Sequence, residues 1–404
     1  EIISNAADFF SSQKEFAIYG ITGSQKVATF AAIFSKNPQP TILITESREK
    51  IFDWQNDLSQ FLPETEIVEL PEIDLIKIQA DVTGLERKSQ RLKIFTKLLR
   101  GENLIVLATP AAVAKKDFSR KNFLNHNLKI EIQQNLNRDD LIKNLIDFDY
   151  ERADEVSPGK FSVRGGIIDI FPINWSNPFR IEFFDETVES IRKLNAETLR
   201  SIKNFQYLVV LPVKDFENKN AEPVTTCASA VIFDEPARIK ENLTALAKED
   251  DEIKKNIFSF DNLIKNSRGR TLIYLQLMLK KISAAELEKI FAINAVNVAS
   301  FQGQEDFFIA EIKNLLESCK KIFICATSDK KIAEIKILLK DFAEKIIFEI
   351  GSLSDGFIFT NLAVITEKNI FGSQIVRRKI KFTGGAKIKN FTEIKVGDYV
   401  VHAT

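Results

Sequence analysis

EFAIYGITGSQKVATFAAIF, residues 15 to 34, has the layout of a phosphate-binding loop between a strand and a helix. The apolar run from Phe16 to Tyr19 predicts a buried strand, and a turn starts at Gly20. Lys26 follows six residues later, and the apolar run that begins near Val27 predicts a helix. A strand, a glycine-containing loop and a helix in this order form the typical opening unit of a parallel α/β sheet.

Two positions of this loop hold residues that do not suit phosphate binding. A working loop has glycine before its lysine, so that backbone N–H groups close on the phosphates, and Ser or Thr after it to hold magnesium. Here those positions are Gln25 and Val27, so Gly20, Gly23 and Lys26 remain without the rest of the machinery. We predict a degenerate nucleotide loop with no catalytic residue. The alternative is an ordinary connection that contains two glycines and a lysine.

The overall composition limits the size of the protein and its surface chemistry. Its 404 residues predict roughly two to four domains. Lys+Arg and Asp+Glu both number 56, which argues against a broad basic face, so we expect DNA to bind only weakly. No apolar run approaches the about 18 residues that span a bilayer, so we expect no contact with a membrane.

The residues that most often bind metals are scattered along the chain without the spacing of a metal site. They are Cys227, Cys319, Cys325, His126 and His402. We therefore predict no metal site, and the small number of cysteines indicates a reducing, cytoplasmic compartment.

Strands and helices alternate in the first part of the chain. The ranges 41–47, 65–71 and 103–110 are typical of strands, and the ranges 49–62 and 84–101 are typical of helices. Such alternation predicts a parallel sheet with helices on both faces, and the glycine-containing turn lies where doubly wound folds place their ligands. The predicted class is α/β, with a RecA-like parallel-sheet domain that carries the degenerate loop.

The later segments predict further units. Short strands around one helix near Arg138 to Asp147 predict an inserted α+β domain. Long charged helical stretches are expected after the strand at 229–236, up to about 300. Strands and helices then alternate again, which predicts a small C-terminal α/β domain. The predicted ranges are 1–117 and 213–302 for the two parts of the parallel-sheet domain, 118–212 for the inserted domain, 303–375 for the small domain, and 376–404 for a linker and the start of another domain.

A long pattern in the inserted domain resembles a known family. It consists of DYER (149 to 152), PGKFSVRGGIIDIFP (158 to 172) and FRIEFF (179 to 184). This pattern resembles the second domain shared by the excision-repair protein UvrB and the bacterial transcription-repair coupling factors (Mfd). The segments 351–372 and 395–404 resemble the coupling factors in particular, at the end of their third domain and at the opening of their RNA-polymerase-interacting barrel.

UvrB itself is the competing family. A UvrB-like protein needs an intact phosphate loop and a tyrosine-rich hairpin that clamps DNA shortly after that loop. Between Tyr19 and Tyr150 the chain contains no tyrosine, so the aromatic side chains that would stack on a strand are missing from this region. We favour the coupling factors, and a UvrB-like repair ATPase with a nonstandard phosphate loop is the alternative.

Asp234 and Glu235 end an apolar strand, as does the acidic metal-binding box of helicases. An acidic pair at a strand end is also common in solvated turns, and Pro236 follows where helicases usually carry a small or polar residue. Because Val27 offers no hydroxyl and Gln25 is bulky, magnesium and phosphate would be poorly held. We interpret the pair as a degenerate acidic box that holds no metal.

The strand predicted at FRIEFF points alternate side chains to opposite faces. Phe184 then shares a face with Arg180 and Glu182, and an exposed aromatic beside an arginine is typical of an interface hot spot. The resemblance implies that Arg164, Arg180 and Phe184 bind UvrA. The alternative is a structural role, in which Arg180 pairs with Glu182 or Glu189 and Phe184 packs under a loop.

The resemblance implies a function without catalysis. The module would recruit UvrA to stalled RNA polymerase for nucleotide excision repair, and the polymerase would be contacted through a barrel that begins near residue 391. In such proteins ATP and magnesium are used by a translocase motor beyond that barrel, so we expect no cofactor and no enzyme activity in this chain. A purely structural domain that shields the motor is the third interpretation.

Overall fold

The computed structural model describes residues 2–73, 82–125, 127–213 and 221–372. The predicted linker at 376–390 and the predicted start of a barrel near 391 lie outside these ranges, as do His126 and His402. Within the described ranges, none of the helices has the length and apolar character that crossing a membrane requires. The same ranges contain no group of three or more His, Cys, Asp and Glu side chains that could hold a metal ion.

The elements fall into three parts along the chain. The first part contains α1 (Ile2–Phe10), β1 (Glu15–Tyr19), α2 (Gly23–Phe34), β2 (Thr41–Ile44), α3 (Arg48–Phe61), β3 (Glu66–Glu69), α4 (Val82–Leu99), β4 (Leu104–Ala108), α5 (Pro110–Ala114) and α6 (Arg120–Asn125). The middle part contains β5 (Leu128–Glu131), α7 (Arg138–Asp147), β6 (Glu151–Arg152), β7 (Lys160–Arg164), β8 (Ile167–Ile170), β9 (Phe179–Phe184), β10 (Thr187–Leu194), β11 (Ser201–Asn204) and β12 (Tyr207–Val210). The last part contains β13 (Ala230–Asp234), α8 (Pro236–Glu249), α9 (Asp251–Asn256), α10 (Phe260–Ser267), β14 (Thr271–Gln276), β15 (Lys289–Ala292), β16 (Ala295–Asn297), α11 (Glu305–Ser318), β17 (Lys321–Ala326), α12 (Asp329–Leu338), β18 (Ile347–Ile350), β19 (Phe357–Phe359), β20 (Leu362–Thr366) and α13 (Glu367–Phe371).

Strands from the first and last parts form a seven-stranded sheet within the described residues. Its order is β15-β1-β14-β13-β2-β4-β3, and every neighbouring pair runs parallel. Ile42 and Ile44 of β2 join the apolar core that contains residues of α4, α5 and α8, whereas Leu43 joins the core on the side of α1, α2 and α3. Helices therefore cover both faces of the sheet, and the predicted α/β class with a parallel sheet is confirmed.

The expectation of helical stretches up to about residue 300 is wrong. Helix α10 ends at Ser267, and β14 then lies inside the seven-stranded sheet, between β1 and β13. All residues of β14, TLIYLQ, are buried. A short and continuous apolar run has no period that distinguishes a buried strand from a buried helix segment, so the partners on both sides decide its structure.

The middle part folds around a six-stranded sheet of order β11-β10-β9-β8-β7-β6. Neighbouring strands run antiparallel except for β6 and β7. One face packs against α7 and against the separate pair of β5 and β12, in a core that includes Leu141, Leu145, Phe161 and Ile181. The other face carries Arg164 and further charged side chains.

A third sheet, of five strands in the described residues, completes the fold. Its order is β16-β19-β20-β17-β18, with parallel pairing only among β20, β17 and β18. Helices α11 and α12 pack on it through residues such as Phe308, Ile312 and Ile335. Strand β16 joins this sheet although it directly follows β15 of the seven-stranded sheet, so the chain passes from one sheet to the other within a few residues.

Tyr150 joins the middle part to the core of the seven-stranded sheet. Its ring packs in the core of the middle part, while its hydroxyl donates to the carbonyl of Leu211 at 2.8 Å and accepts from the N–H of Ile173 at 3.2 Å. Both partner residues belong to the core on the α4 side of the seven-stranded sheet. Burial raises the pKa of Tyr150, so the hydroxyl keeps the proton that it donates.

We expect Tyr150→Phe to lower the free energy of unfolding by about 1 to 3 kcal/mol, because two buried backbone groups lose their partner. Urea or thermal unfolding of the two proteins measures this loss. Tyr207→Phe is the matched control, because Tyr207 is half exposed. An equal effect of both substitutions would contradict the role assigned to the Tyr150 hydroxyl.

Candidate functional site

The degenerate loop closes on itself through Gln25. Helix α2 begins at Gly23, four residues earlier than the sequence predicted, and the Gln25 side chain accepts a hydrogen bond from the N–H of Thr22 at 3.4 Å. The amide nitrogen of Gln25 donates to the carbonyl of Val296 in β16 at 3.0 Å. The side chain at the position of the missing glycine therefore ties the start of α2 to the third sheet.

Both glycines of the loop have a positive φ, +49° at Gly23, and Gly20 in addition has no room for a side chain. Its φ is +83°, and a Cβ atom at this position would lie 2.1 Å from the carbonyl oxygen of Ile293. Val27 is buried in the core on the α2 side of the sheet, so the position that would hold magnesium in a working loop packs against apolar neighbours instead.

Lys26 contacts both residues of the predicted acidic box. Its Nζ atom lies 2.8 Å from Asp234 Oδ1 and 2.6 Å from Glu235 Oε1. Asp234 Oδ2 accepts two more hydrogen bonds, from Thr45 Oγ1 and Trp54 Nε1, each at 2.9 Å. Burial alone would lower the pKa of Lys26, but the charges and hydrogen bonds of the two carboxylates outweigh it and raise that pKa.

This arrangement leaves the charge of Lys26 unavailable to a phosphate. One ammonium group faces two carboxylates, and Glu235 Oε1 also accepts from the N–H of Leu277 at 2.9 Å. A phosphate would have to separate Lys26 from both partners and would then meet two negative charges. The structure thus brings Lys26, Asp234 and Glu235 together, and they pair with one another.

A loop of the last part covers the start of α2. Ser24 Oγ donates to Asp57 Oδ2 at 2.5 Å and accepts from the N–H of Asp355 at 2.9 Å. The N–H and the hydroxyl of Ser354 donate to Asp57 Oδ1 at 2.7 and 2.9 Å. Burial raises the pKa of Asp57, and the hydrogen bonds from Ser24, Asn56 and Ser354 oppose that rise.

The other predicted site lies on the outer face of the six-stranded sheet. Strand register places Asp169 opposite Arg180, and Ile167 between Arg164 and Glu182. Phe184, at the end of β9, is 70% exposed. The structure brings Arg164, Arg180 and Phe184 to one sheet face, with Phe184 beside the turn that connects β7 to β8.

Arg180 pairs with Asp169, a partner that the sequence analysis did not consider. Arg180 Nε and Nη2 donate to the two Asp169 oxygens at 2.7 Å each, and the Asp169 side chain is only 4% exposed. Glu182 instead accepts hydrogen bonds from Ser190 and Arg192. Strand alternation predicted the shared face, but only the strand register could identify the carboxylate that holds Arg180.

The sequence analysis also missed the residues that complete the loop site. Thr45 and Trp54 satisfy Asp234, while Asp57, Ser354 and Asp355 connect α2 to the third sheet. All of them are distant in sequence from the loop. Of these residues, only Trp54 stands out in the sequence, because the chain has just two tryptophans.

Comparison with known proteins gives the family context of both sites. Residues 128–216 match the UvrB interaction domain family, and this range contains Arg164, Arg180 and Phe184. The chain is 26% identical, over 96% of its length, to the transcription-repair-coupling factor of Bacillus subtilis (strain 168). It is 25% identical, over the same share, to that of Staphylococcus aureus (strain Mu50 / ATCC 700699).

The predicted resemblance to transcription-repair coupling factors is confirmed. The chain spans 41% of the length of these relatives. Among solved structures, a hypothetical ATP-dependent RNA helicase from Sulfolobus tokodaii covers 93% of the chain at 12% identity and a TM-score of 0.27, a similarity too low to carry an argument.

We expect Lys26→Met to lower the free energy of unfolding by about 3 to 5 kcal/mol, because two carboxylates lose their buried partner. We also expect no ATPase activity and no rise in melting temperature with ATP and magnesium in the unmodified protein. Thermal unfolding with and without nucleotide measures the stability and the melting shift, and release of inorganic phosphate measures ATPase activity. Lys50→Met is the control, since this exposed lysine lines the cavity beside Lys26 and pairs with Asp53 at the surface. If ATP raises the melting temperature of the unmodified protein, and Lys26→Met abolishes that rise without changing stability, the loop still binds nucleotide.

The raised pKa of Asp57 predicts the sign of a pH effect on stability. Because the folded protein holds this proton more tightly than the unfolded chain, the stabilising contribution is complete below about pH 3.9 and is lost as the pH rises through the raised pKa. We therefore expect the melting temperature of the unmodified protein, relative to Asp57→Asn, to fall over the range in which the pH rises above about 4. Melting curves of both proteins across this range measure the difference, and a constant or rising difference would contradict the prediction.

Proposed function

We propose that this chain is the N-terminal, UvrB-like part of a transcription-repair coupling factor and that its middle part recruits UvrA for nucleotide excision repair. The similarity to the coupling factors over nearly the whole chain supports a role in transcription-repair coupling. The match of residues 128–216 to the UvrB interaction domain family supports the middle part as the docking unit.

The observation that carries the proposal is the exposure of Phe184. Burial of a phenylalanine side chain is favourable by about 1.5 to 3 kcal/mol. An exposed phenylalanine therefore gains this free energy only when a partner covers it. Phe184 instead lies on the solvent side of a sheet whose opposite face holds the core of the middle part. With Arg164 on the same face, this surface fits a partner that offers an apolar pocket bordered by carboxylates.

Arg180 contributes to this surface in a different way from Phe184. Two of its guanidinium nitrogens are held by Asp169, which fixes the side chain against the sheet and leaves Nη1 for a partner. Removal of Arg180 would leave a nearly buried carboxylate without its partner, so Arg180→Ala combines a loss of binding with a loss of stability. Substitutions at Phe184 and Arg164 test binding without this loss of stability.

The loop geometry favours this function over a UvrB-like ATPase with a nonstandard phosphate loop. Lys26 is held by Asp234 and Glu235, and Val27 lies in the core, so this chain acts by binding rather than by hydrolysis. ATP and magnesium would be used by a motor in the rest of the protein. RNA polymerase would be contacted through the segment that begins near residue 391.

We expect Phe184→Ala and Arg164→Ala each to weaken UvrA binding at least about tenfold, a loss of about 1.4 kcal/mol or more, at unchanged melting temperature. Titration of purified UvrA against the full chain, by isothermal titration calorimetry or surface plasmon resonance, measures the affinities. Phe307→Ala is the matched control, because Phe307 is 69% exposed on α11, outside the middle part.

Two outcomes would overturn the proposal. If both variants bind UvrA like the unmodified protein, the docking surface lies elsewhere. If the unmodified chain binds no UvrA while its melting curve shows a folded protein, the chain serves another purpose, such as shielding a motor domain.

A further inference from the structure

A groove runs along the exposed face of α8 at the carboxyl end of the seven-stranded sheet. Its cavity has a volume of about 550 Å³ and lies between α8 and the segment that follows β14. The apolar floor includes Pro236, Phe260 and Ile282, and the small side chains of Ala237 and Ala245 leave the helix side open. The groove adjoins the cavity beside the degenerate loop and shares Ala237, Glu241, Gln276 and Lys280 with it, whereas the outer face of the six-stranded sheet forms no part of it.

Gln276, the last residue of β14, gives the groove a hydrogen-bond donor that lacks an acceptor. Its side chain lines the groove and is only 3% exposed. Gln276 Oε1 accepts from the N–H of Lys280 at 3.1 Å, but Nε2 has no hydrogen-bond partner among the described residues. An orphaned buried amide donor loses free energy unless an acceptor reaches it, so this atom indicates a ligand that offers oxygen.

The charges around the groove indicate that this ligand is an anion. Four lysines line it, Lys240, Lys248, Lys280 and Lys281, against one acidic side chain in the described residues, Glu241. Lys240 also donates to Ser283 Oγ at 2.9 Å and lies 3.8 Å from Asp261 Oδ1. The other three lysines are exposed, so their ammonium groups can move toward a bound anion.

The groove continues into a second cavity along α8. This second cavity has a volume of about 420 Å³ and shares Lys240, Thr244 and Phe260 with the first. The charged side chains that it adds to the lining are Lys116, Lys254 and Asp261. A single inorganic phosphate would fill only a small part of this length. A chain of phosphates, as in a polynucleotide, can extend along both cavities and meet lysines in each.

We propose that the α8 groove binds consecutive phosphates of a nucleic-acid backbone, with Gln276 Nε2 donating to a phosphate oxygen. This site goes beyond the recruitment of UvrA, since it lies on a different part of the molecule and uses different residues. It places a nucleic acid against the seven-stranded sheet without sequence readout, because phosphate contacts fix position and carry no base information.

The test measures binding of a fluorescein-labelled single-stranded oligonucleotide and of its duplex to the full chain by anisotropy, at several salt concentrations. We expect the triple variant Lys248→Gln, Lys280→Gln and Lys281→Gln to bind about tenfold or more weakly, and to reduce the salt slope by about 1 for each lysine. Lys320→Gln, Lys330→Gln and Lys340→Gln together are the control, with the same change in net charge at exposed positions just before β17, on α12 and just after α12. Equal losses in both triple variants would mean that binding follows net charge alone and would overturn the proposal.

Gln276→Glu tests the buried donor separately. The substitution keeps an oxygen that can accept from the N–H of Lys280, and it replaces the unpartnered donor with a charged acceptor. We expect a loss of affinity at least as large as that of the groove triple variant, together with a lower melting temperature, because the new carboxylate is buried. Melting curves show whether the variant is folded at the temperature of the binding assay. Unchanged binding by Gln276→Glu would overturn the role of this residue, and complete competition by inorganic tripolyphosphate at equal phosphate concentration would overturn the assignment to a polynucleotide.

Discussion

The buried contact of the Lys26 ammonium group with the Asp234 and Glu235 carboxylates determines what the edge of the seven-stranded sheet can do. Removing three charges from water costs several kcal/mol per ion unless each finds partners. Thr45, Trp54 and the N–H of Leu277 supply those partners. The same groups that would bind ATP and magnesium in a working loop therefore join α2, β2, α3 and β13 into one structure, and the loop of the third sheet closes over them.

A comparable pairing makes the outer face of the middle sheet rigid. Arg180 is held by Asp169 and Glu182 by Arg192, so the charged side chains of this face are fixed before any partner arrives. A partner that binds there loses less side-chain entropy than it would on a surface of free arginines and glutamates. Phe184 contributes the apolar area, and its neighbours contribute a defined arrangement of charge around it.

The sequence predicted what local patterns control, and it failed where distant residues decide. Phe16 to Tyr19 formed the expected strand, and α7 has the predicted bounds from Arg138 to Asp147. Strand β14 was missed because its apolar run has no period, and only its position between β1 and β13 makes it a strand. In the same way, alternation predicted the face that carries Arg180 but not its partner on β8, and the loop motif gave no sign of Asp57 or Ser354.

Net charge illustrates the same limit for binding surfaces. The chain has 56 basic and 56 acidic residues, and the sequence analysis inferred from this balance that nucleic acid would bind only weakly. A balance over the whole chain constrains the field at a distance of several Debye lengths, each about 8 Å at physiological salt, but not the field inside a groove. Folding brings Lys240 and Lys248 of α8 beside Lys280 and Lys281. Asp234 and Glu235, in contrast, are neutralised in part by Lys26. A neutral protein can therefore present a basic groove, and its affinity depends on which charges the fold has already paired.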